Sequence, residues 1–311
     1  MIAAMSGQYA PDLRQRLESH LPVDELTNVL GTDRAGDVGI LITRGKLIVD
    51  LSLLEKLPKL RMVVKAGAGL DTIDTTAARA RGIQVAATGS DPDSVAELAL
   101  TLLLSCLRHV RYFDDAVRRD DWSAKERLFG DTISSRRIGI VGFGPIGQSF
   151  ARIVSALGAQ TFVWDRSIGR KDKDRVAKRI GAVACPDLHE LLACSDTVSL
   201  HLPLTPATRG LLGPRELSEI RKGTILINTA RAMLVDHDCL VAALMTGHLR
   251  AAGLDVHYAE GRSVDDPIFN LSNVVLTPHV GAQTSQAHQV IADRIVELVC
   301  SAAAATREVA L

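Results

Sequence analysis

Two doubly wound α/β domains, each built on a parallel sheet, are predicted by three features of this chain. Short β-branched or apolar runs alternate with segments of helical hydrophobic spacing along most of the 311 residues. Those runs are apolar almost throughout, as strands of a parallel sheet covered on both faces must be. The length suits two domains of about 150 residues each. With 47% hydrophobic and 23% charged residues the chain can fill two cores, which excludes wholesale disorder.

In the first hundred residues, strands are predicted over 2–5, 38–43, 62–65 and 83–87, with helices over 11–20, 47–57 and 75–81 between them. A long helix over 94–119 follows. Its stretch 98–107 is apolar except for Thr101 and Ser105. That is about half of the roughly 20 residues a membrane span requires, so a buried helix is expected. A second series opens with a strand at 137–141 and continues with strands at 160–164, 182–184, 197–201, 224–228, 251–255 and 274–277. A helix over 146–157 stops at Gly158, and the charge-dense stretch 170–179 mixes both signs and reads as a solvated helix face. A last helix over 284–305 places Val290, Ile291, Ile295, Leu298 and Val299 largely on one side.

Charge and composition exclude several partners. The 36 basic and 36 acidic side chains cancel, and only 4% of residues are aromatic. Neither nucleic acid nor an acidic membrane surface finds an electrostatic or stacking platform here. The start, from Met1 to Gly7, lacks the basic and apolar regions of a signal peptide, so a cytoplasmic protein is expected. Cys106, Cys185, Cys194, Cys239 and Cys300 form no Cys-x-x-Cys and no zinc spacing with histidine. They read as free thiols, and no metal site is expected.

Chemistry begins at Gly142-Phe143-Gly144-Pro145-Ile146-Gly147, directly after a predicted strand and opening a helix. Gly142 permits a tight turn, Gly144 lets backbone approach a pyrophosphate, and Gly147 lets helix pack close on strand. The helix N-terminus then offers N–H groups and partial positive charge to the phosphates. Asp165 ends the next strand, close to the separation of about 20 residues expected for an acid that binds ribose hydroxyls. A carboxylate there accepts from a free 2′-hydroxyl and repels a 2′-phosphate, favouring NAD over NADP. Arg166 and Arg170 read as solvated loop residues, the alternative being contact with such a phosphate.

A second constellation lies in Ile227-Asn228-Thr229-Ala230-Arg231, in Gly253 to Glu260, and in Leu276-Thr277-Pro278-His279-Val280-Gly281. Each puts a charged or titratable group at or just beyond a strand's carboxyl end, where open parallel sheets bind ligands. Arg231 offers a planar fork for a carboxylate or carbonyl oxygen. His279 is a candidate proton donor, and Glu260 could keep it protonated. His257 reads as a loop histidine without a role, and His201 as strand-end packing beside the cofactor.

With these motifs in hand, the chain resembles the D-isomer-specific 2-hydroxyacid dehydrogenase family over nearly its whole length. Val64-Lys65-Ala66-Gly67-Ala68-Gly69-Leu70-Asp71-Thr72-Ile73-Asp74 resembles the family's substrate loop, and Ser94-Val95-Ala96-Glu97 the start of its interdomain helix. His201-Leu202-Pro203-Leu204-Thr205, Asn228 to Arg231, Leu254-Asp255-Val256 and Thr277-Pro278-His279 follow in the family's order. The resemblance implies a flavodoxin-like substrate domain, residues 1–100 plus 283–311, and a Rossmann NAD-binding domain, residues 101–282. It implies a catalytic set of Arg231, Glu260 and His279, with substrate held by Arg231, His279 and the backbone at Ala68 and Gly69. Cofactor contacts are implied at Gly142, Gly144, Pro145, Ile146, Gly147, Asp165, Leu202, Pro203, Thr229, Ala230, Arg231, Asp255, His279 and Gly281, with Asp255 on the nicotinamide carboxamide. The implied activity is NAD-dependent hydride transfer between a small D-2-hydroxy acid and its 2-oxo acid, in a cleft between the domains. A homodimer is implied through the stretch from Tyr112 to Gly130, which carries Phe113, Trp122 and Phe129; a local hydrophobic cluster is the alternative. The rival function is an NAD(H)-binding, corepressor-like regulator of the same fold, and a complete catalytic set speaks against it.

Three positions depart from the family pattern. Ala232 stands where Gly usually follows the catalytic arginine, and Gly261 where Pro usually follows the glutamate. Asp91 replaces a common Asn before the interdomain helix. Facing the substrate, its carboxylate would disfavour strongly anionic acids; the alternative is a plain helix start with Pro92 in the first turn.

Overall fold

Strand β3 (Val38–Thr43) shows why this chain builds parallel sheets: all six residues are buried. Ile40 and Ile42 pack on one side of the sheet and Leu41 on the other, the period of two that a strand imposes. A computed structural model of the chain describes residues 1–169, 171–258 and 266–308. It divides into two compact units, one of Met1–Asp91 with the C-terminal segment from Ala282, the other of Pro92–Gly281.

In the first unit β3 joins β1 (Ile2–Ser6), β2 (Val23–Glu25), β4 (Met62–Lys65) and β5 (Gln84–Ala87). The order is β2-β1-β3-β4-β5, all parallel, the flavodoxin-like arrangement. One face is covered by Val29, Leu54, Leu57 and Ala78. The other is covered by Leu13 and Leu17 and by Ile291, Ala292, Ile295 and Val299 of the helix Ser285–Glu308. Aspartates start the intervening helices: Asp50 accepts from the Leu53 N–H, and Asp74 from those of Thr76 and Ala77.

The second unit holds β6 (Arg137–Val141), β7 (Gln160–Trp164), β8 (Val183–Ala184), β9 (Thr197–Leu200), β10 (Thr224–Asn228), β11 (Leu249–Leu254) and β12 (Val274–Leu276). Their order, β12-β11-β10-β9-β6-β7-β8, is the Rossmann arrangement extended by one strand, again all parallel. Ile225 and Ile227 face a core shared with Phe150 and the helix Pro92–Leu107, while Leu226 faces Leu192, Leu217 and Leu240 on the opposite side.

Two expectations change here. The sequence places a boundary at residue 100, inside a helix; the helix Pro92–Leu107 belongs whole to the second unit, because Ala96, Ala99, Leu102, Leu103 and Cys106 pack as one stripe against Ile138, Ile140, Ile225 and Ile227. Gly253 lets it approach β11, since a Cβ there would lie 2.8 Å from Leu102 Cβ. The long helix over 94–119 is two helices, Pro92–Leu107 and Val110–Arg118, parted where His109 adopts a left-handed φ of 52°. No glycine or proline marks that break.

Candidate active site

In the second sheet the strand order reverses at β6, which lies between β7 and β9. The crevice beyond the carboxyl ends at such a point is where nucleotides bind. Gly142 turns the chain there with φ of 102°, and its N–H donates to the Trp164 carbonyl at 2.8 Å. A Cβ on Gly142 would come within 2.6 Å of the His201 carbonyl oxygen, and one on Gly147 within 2.0 Å of the Gly142 carbonyl oxygen. Gly144 differs: it caps the helix Pro145–Ala156, and a Cβ there would meet nothing within 4 Å. Pro145 occupies the first helical position, where its missing N–H costs nothing, and Ile146 follows half-buried. The two crowded glycines shape the turn, and the open one leaves room for a pyrophosphate before the helix N-terminus.

Asp165 stands just past β7. Its Oδ2 accepts from the Phe143 N–H at 3.1 Å and from Lys173 Nζ at 2.9 Å; its Oδ1 accepts from the Ser167 N–H at 2.8 Å and from the Ser167 hydroxyl. Burial alone would raise its pKa, but these donors outweigh it and hold the carboxyl well below the usual range. Arg166 points elsewhere, donating to the Ala207 carbonyl at 3.0 Å. Arg170 lies outside the described residues.

Next along the crevice is His201, beyond β9. Its Nε2 lies 2.8 Å from Ser199 Oγ, its ring packs 5.2 Å from that of Phe150, and its Nδ1 is shut from solvent without a hydrogen-bond partner. Burial pushes its pKa down to about 3, so the ring stays neutral at physiological pH. Leu202, half-buried, and Pro203, exposed, follow it.

Parallel register brings the remaining groups to one edge. Asn228 pairs with Leu254, and Leu254 with Leu276, so the segments after β10, β11 and β12 leave the sheet side by side. Asn228, nearly fully buried, wraps the first: its Oδ1 accepts from the Ala230 N–H at 3.0 Å, and its Nδ2 donates to the Arg231 carbonyl at 2.9 Å. Arg231 Nη1 donates to the Ala230 carbonyl at 2.7 Å, Thr229 is buried beside it, and Ala232 is buried behind. After β12 comes His279, exposed and left-handed at φ of 59°.

Asp255, which the resemblance places on the nicotinamide carboxamide, is fully buried beneath that histidine's turn. Its Oδ1 accepts from Thr277 Oγ1 at 2.6 Å and the Val280 N–H at 2.8 Å, and its Oδ2 from the Gly281 N–H at 2.9 Å. A Cβ on Gly281 would sit 3.3 Å from Asp255 Oδ2, so glycine keeps that approach close. His257 is no bystander: its Nε2–H donates to the Thr277 carbonyl at 2.8 Å, and the His279 N–H donates to the same oxygen at 3.1 Å. Glu260 and Gly261 lie outside the described residues. A further group has no sequence signal at all: His237 Nε2 lies 3.3 Å from Asp266 Oδ1, and its ring 4.6 Å from that of Tyr258.

In the first unit, Ala68 and Gly69 follow β4 at the carboxyl edge of its sheet. The turn before them is fixed by Gly67, at φ of 129°, whose N–H donates to Thr88 Oγ1 at 2.9 Å. Lys65 is buried below, its Nζ donating to the Gly45 carbonyl at 2.8 Å and Thr72 Oγ1 at 2.9 Å. Asp91 is half-buried and immediately precedes the helix that begins at Pro92.

Comparison with known proteins agrees with this geometry. Residues 100–281 match the model of the D-isomer specific 2-hydroxyacid dehydrogenase NAD binding domain. The D-3-phosphoglycerate dehydrogenase of Mycobacterium tuberculosis is 39% identical over 260 residues, covering 83% of this chain and 48% of the relative. The chain thus spans about half the length of such relatives. The hydroxypyruvate reductase of Thermotoga maritima is 33% identical over 283 residues, covering 90% of this chain and 88% of that one. The crystal structure of D-lactate dehydrogenase from Aquifex aeolicus, complexed with NAD and lactic acid, aligns over 99% of this chain and 97% of its own, with TM-score 0.87 and 26% identity. A dinucleotide turn at the sheet's reversal, an acid at the next strand end and this order of strand-end motifs place the chain in the D-isomer-specific 2-hydroxyacid dehydrogenase family.

Proposed function

We propose that this chain is an NAD-dependent oxidoreductase that interconverts a small D-2-hydroxy acid and its 2-oxo acid. One observation supports it above others: a non-glycine His279 held left-handed on a turn that buried Asp255 anchors, at the same sheet edge as Arg231 and the glycine turn. Such local strain persists only where surroundings impose it, and it clusters at functional sites.

Bound nicotinamide would supply, or take up, the reducing equivalent at C2. Arg231 orients the acid and draws charge toward the C2 oxygen, and His279 gives that oxygen its proton. Glu260 keeps the imidazole charged for this step, the role the family resemblance gives it. Backbone N–H groups at Ala68 and Gly69 take the substrate carboxylate. Gly144, Pro145 and Ile146 would border the pyrophosphate on the turn that Gly142 and Gly147 shape, Asp165 would take the ribose, and Leu202, Pro203, Thr229, Ala230 and Gly281 would line the rest of the dinucleotide. With Asp165 ionised, NADH should bind more tightly than NADPH. The protein would work in the cytoplasm as a homodimer.

The test is a screen of glyoxylate, hydroxypyruvate, pyruvate, branched 2-oxo acids and phosphohydroxypyruvate, following NADH absorbance. Turnover of at least one is expected. Tight NADH binding with no turnover of any would favour the regulatory alternative.

A further inference from the structure

Asp165 is an acceptor with no free place. A carboxylate offers about four lone-pair sites, and the Phe143 N–H, Lys173 Nζ, the Ser167 N–H and the Ser167 hydroxyl occupy them. A ribose hydroxyl that binds Asp165 must therefore displace one of these donors or share its site. The two backbone donors are fixed by the chain. The Ser167 hydroxyl can rotate but stays beside its own N–H. Lys173 is the movable one, a charge at the end of a flexible stem rising from the first turn of the helix Lys171–Ile180.

The pair is largely withdrawn from water, with side-chain exposures of 25% for Lys173 and 16% for Asp165. At 2.9 Å each charge cancels much of the other's field at the ribose position. Among the described residues, Arg166 is turned to the Ala207 carbonyl and Asp174 accepts from the Gly169 N–H, so neither takes its place. We propose that Lys173 is a specificity-determining residue, one that weakens the exclusion of a 2′-phosphate by Asp165 and stands ready to bind that phosphate itself. This rests on the cofactor reading above and extends it: the chain discriminates between the two nucleotides less sharply than an unpaired aspartate would.

Calorimetric titration of the purified full chain with NADH and with NADPH, at one fixed ionic strength, tests it. In Lys173→Met the ratio of NADPH to NADH dissociation constants should rise at least about tenfold over wild type, with NADH binding held or tightened. Lys173→Arg, which keeps the charge, should stay within about threefold of wild type. Asp165→Ser should move the preference toward NADPH, and Asp165→Ser/Lys173→Met should lose that gain, the coupling expected of two groups acting on one phosphate. An unchanged or lowered ratio in Lys173→Met, or loss of its NADH binding, would overturn the proposal and leave the cofactor reading standing. Wild type that binds neither nucleotide would overturn both.

Discussion

His279 holds a backbone conformation that costs a non-glycine residue about 1–3 kcal/mol, so something must impose it. Asp255 does, through hydrogen bonds to Thr277, Val280 and Gly281. Asp255→Ala strands buried donors and should lower unfolding free energy by about 2–5 kcal/mol. With His279 displaced, kcat should fall about 100-fold, more than NADH affinity does; Asp255→Asn, which keeps one acceptor, should fall between. Denaturant titration beside steady-state kinetics measures both. His201 allows a pH test. Its pKa is depressed in the folded state to about 3, so the unfolded chain takes up a proton near pH 6.5 that the folded chain refuses. Its contribution is therefore full above pH 6.5 and declines as pH falls toward 3, by up to about 1.4 kcal/mol per pH unit. The stability gap between wild type and His201→Gln should shrink from pH 7 to pH 4.5 in urea titrations; a constant gap would contradict a neutral, buried imidazole. The glycine turn and Asp165 were legible in the sequence because a turn's demand for glycine is local. The task of Asp255 was not, since its partners lie 22 to 26 residues further on.

At the scale of elements, burial decided what could be read. Strands β3, β4, β6, β7 and β10 cover the predicted residues; β3, β4 and β10 are buried throughout, as strands covered on both faces are, while β7 begins at an exposed Gln160. Strand β2 escaped: Val23–Glu25 is short, half-buried and at the sheet edge, with too little apolar surface to signal itself. Short helices such as Leu188–Cys194 and His237–Met245 are set by tertiary packing and by single caps, Asp187 on the Glu190 N–H and Asp236 on the Cys239 N–H. Of the five residues that the sequence places on one side of the helix Ser285–Glu308, Ile291, Ile295 and Val299 are buried against the first sheet, Leu298 is half-buried and Val290 is exposed. Ile295→Ala should cost about 2–5 kcal/mol in chemical denaturation. A cost below about 1 kcal/mol would mean that the helix does not pack there in solution.

For the whole molecule, the exposed aromatics bear on assembly. Trp122 is 65% exposed and Phe129 85%, which leaves no local cluster to hide them. A second copy covering this face would, and light scattering at micromolar concentration should return twice the chain mass. Trp122→Ser/Phe129→Ser should shift it toward the monomer, and a wild type that stays monomeric would contradict the assembly. The central claim, proton donation by His279 to a 2-oxo acid, is tested most directly by comparing kcat of wild type and His279→Ala on the best acid of the screen, with NADH dissociation constants measured alongside. The expected result is a fall of about 10² to 10⁴-fold in kcat with NADH affinity within about threefold of wild type. Turnover retained within tenfold, or NADH binding lost in step with it, would contradict that role.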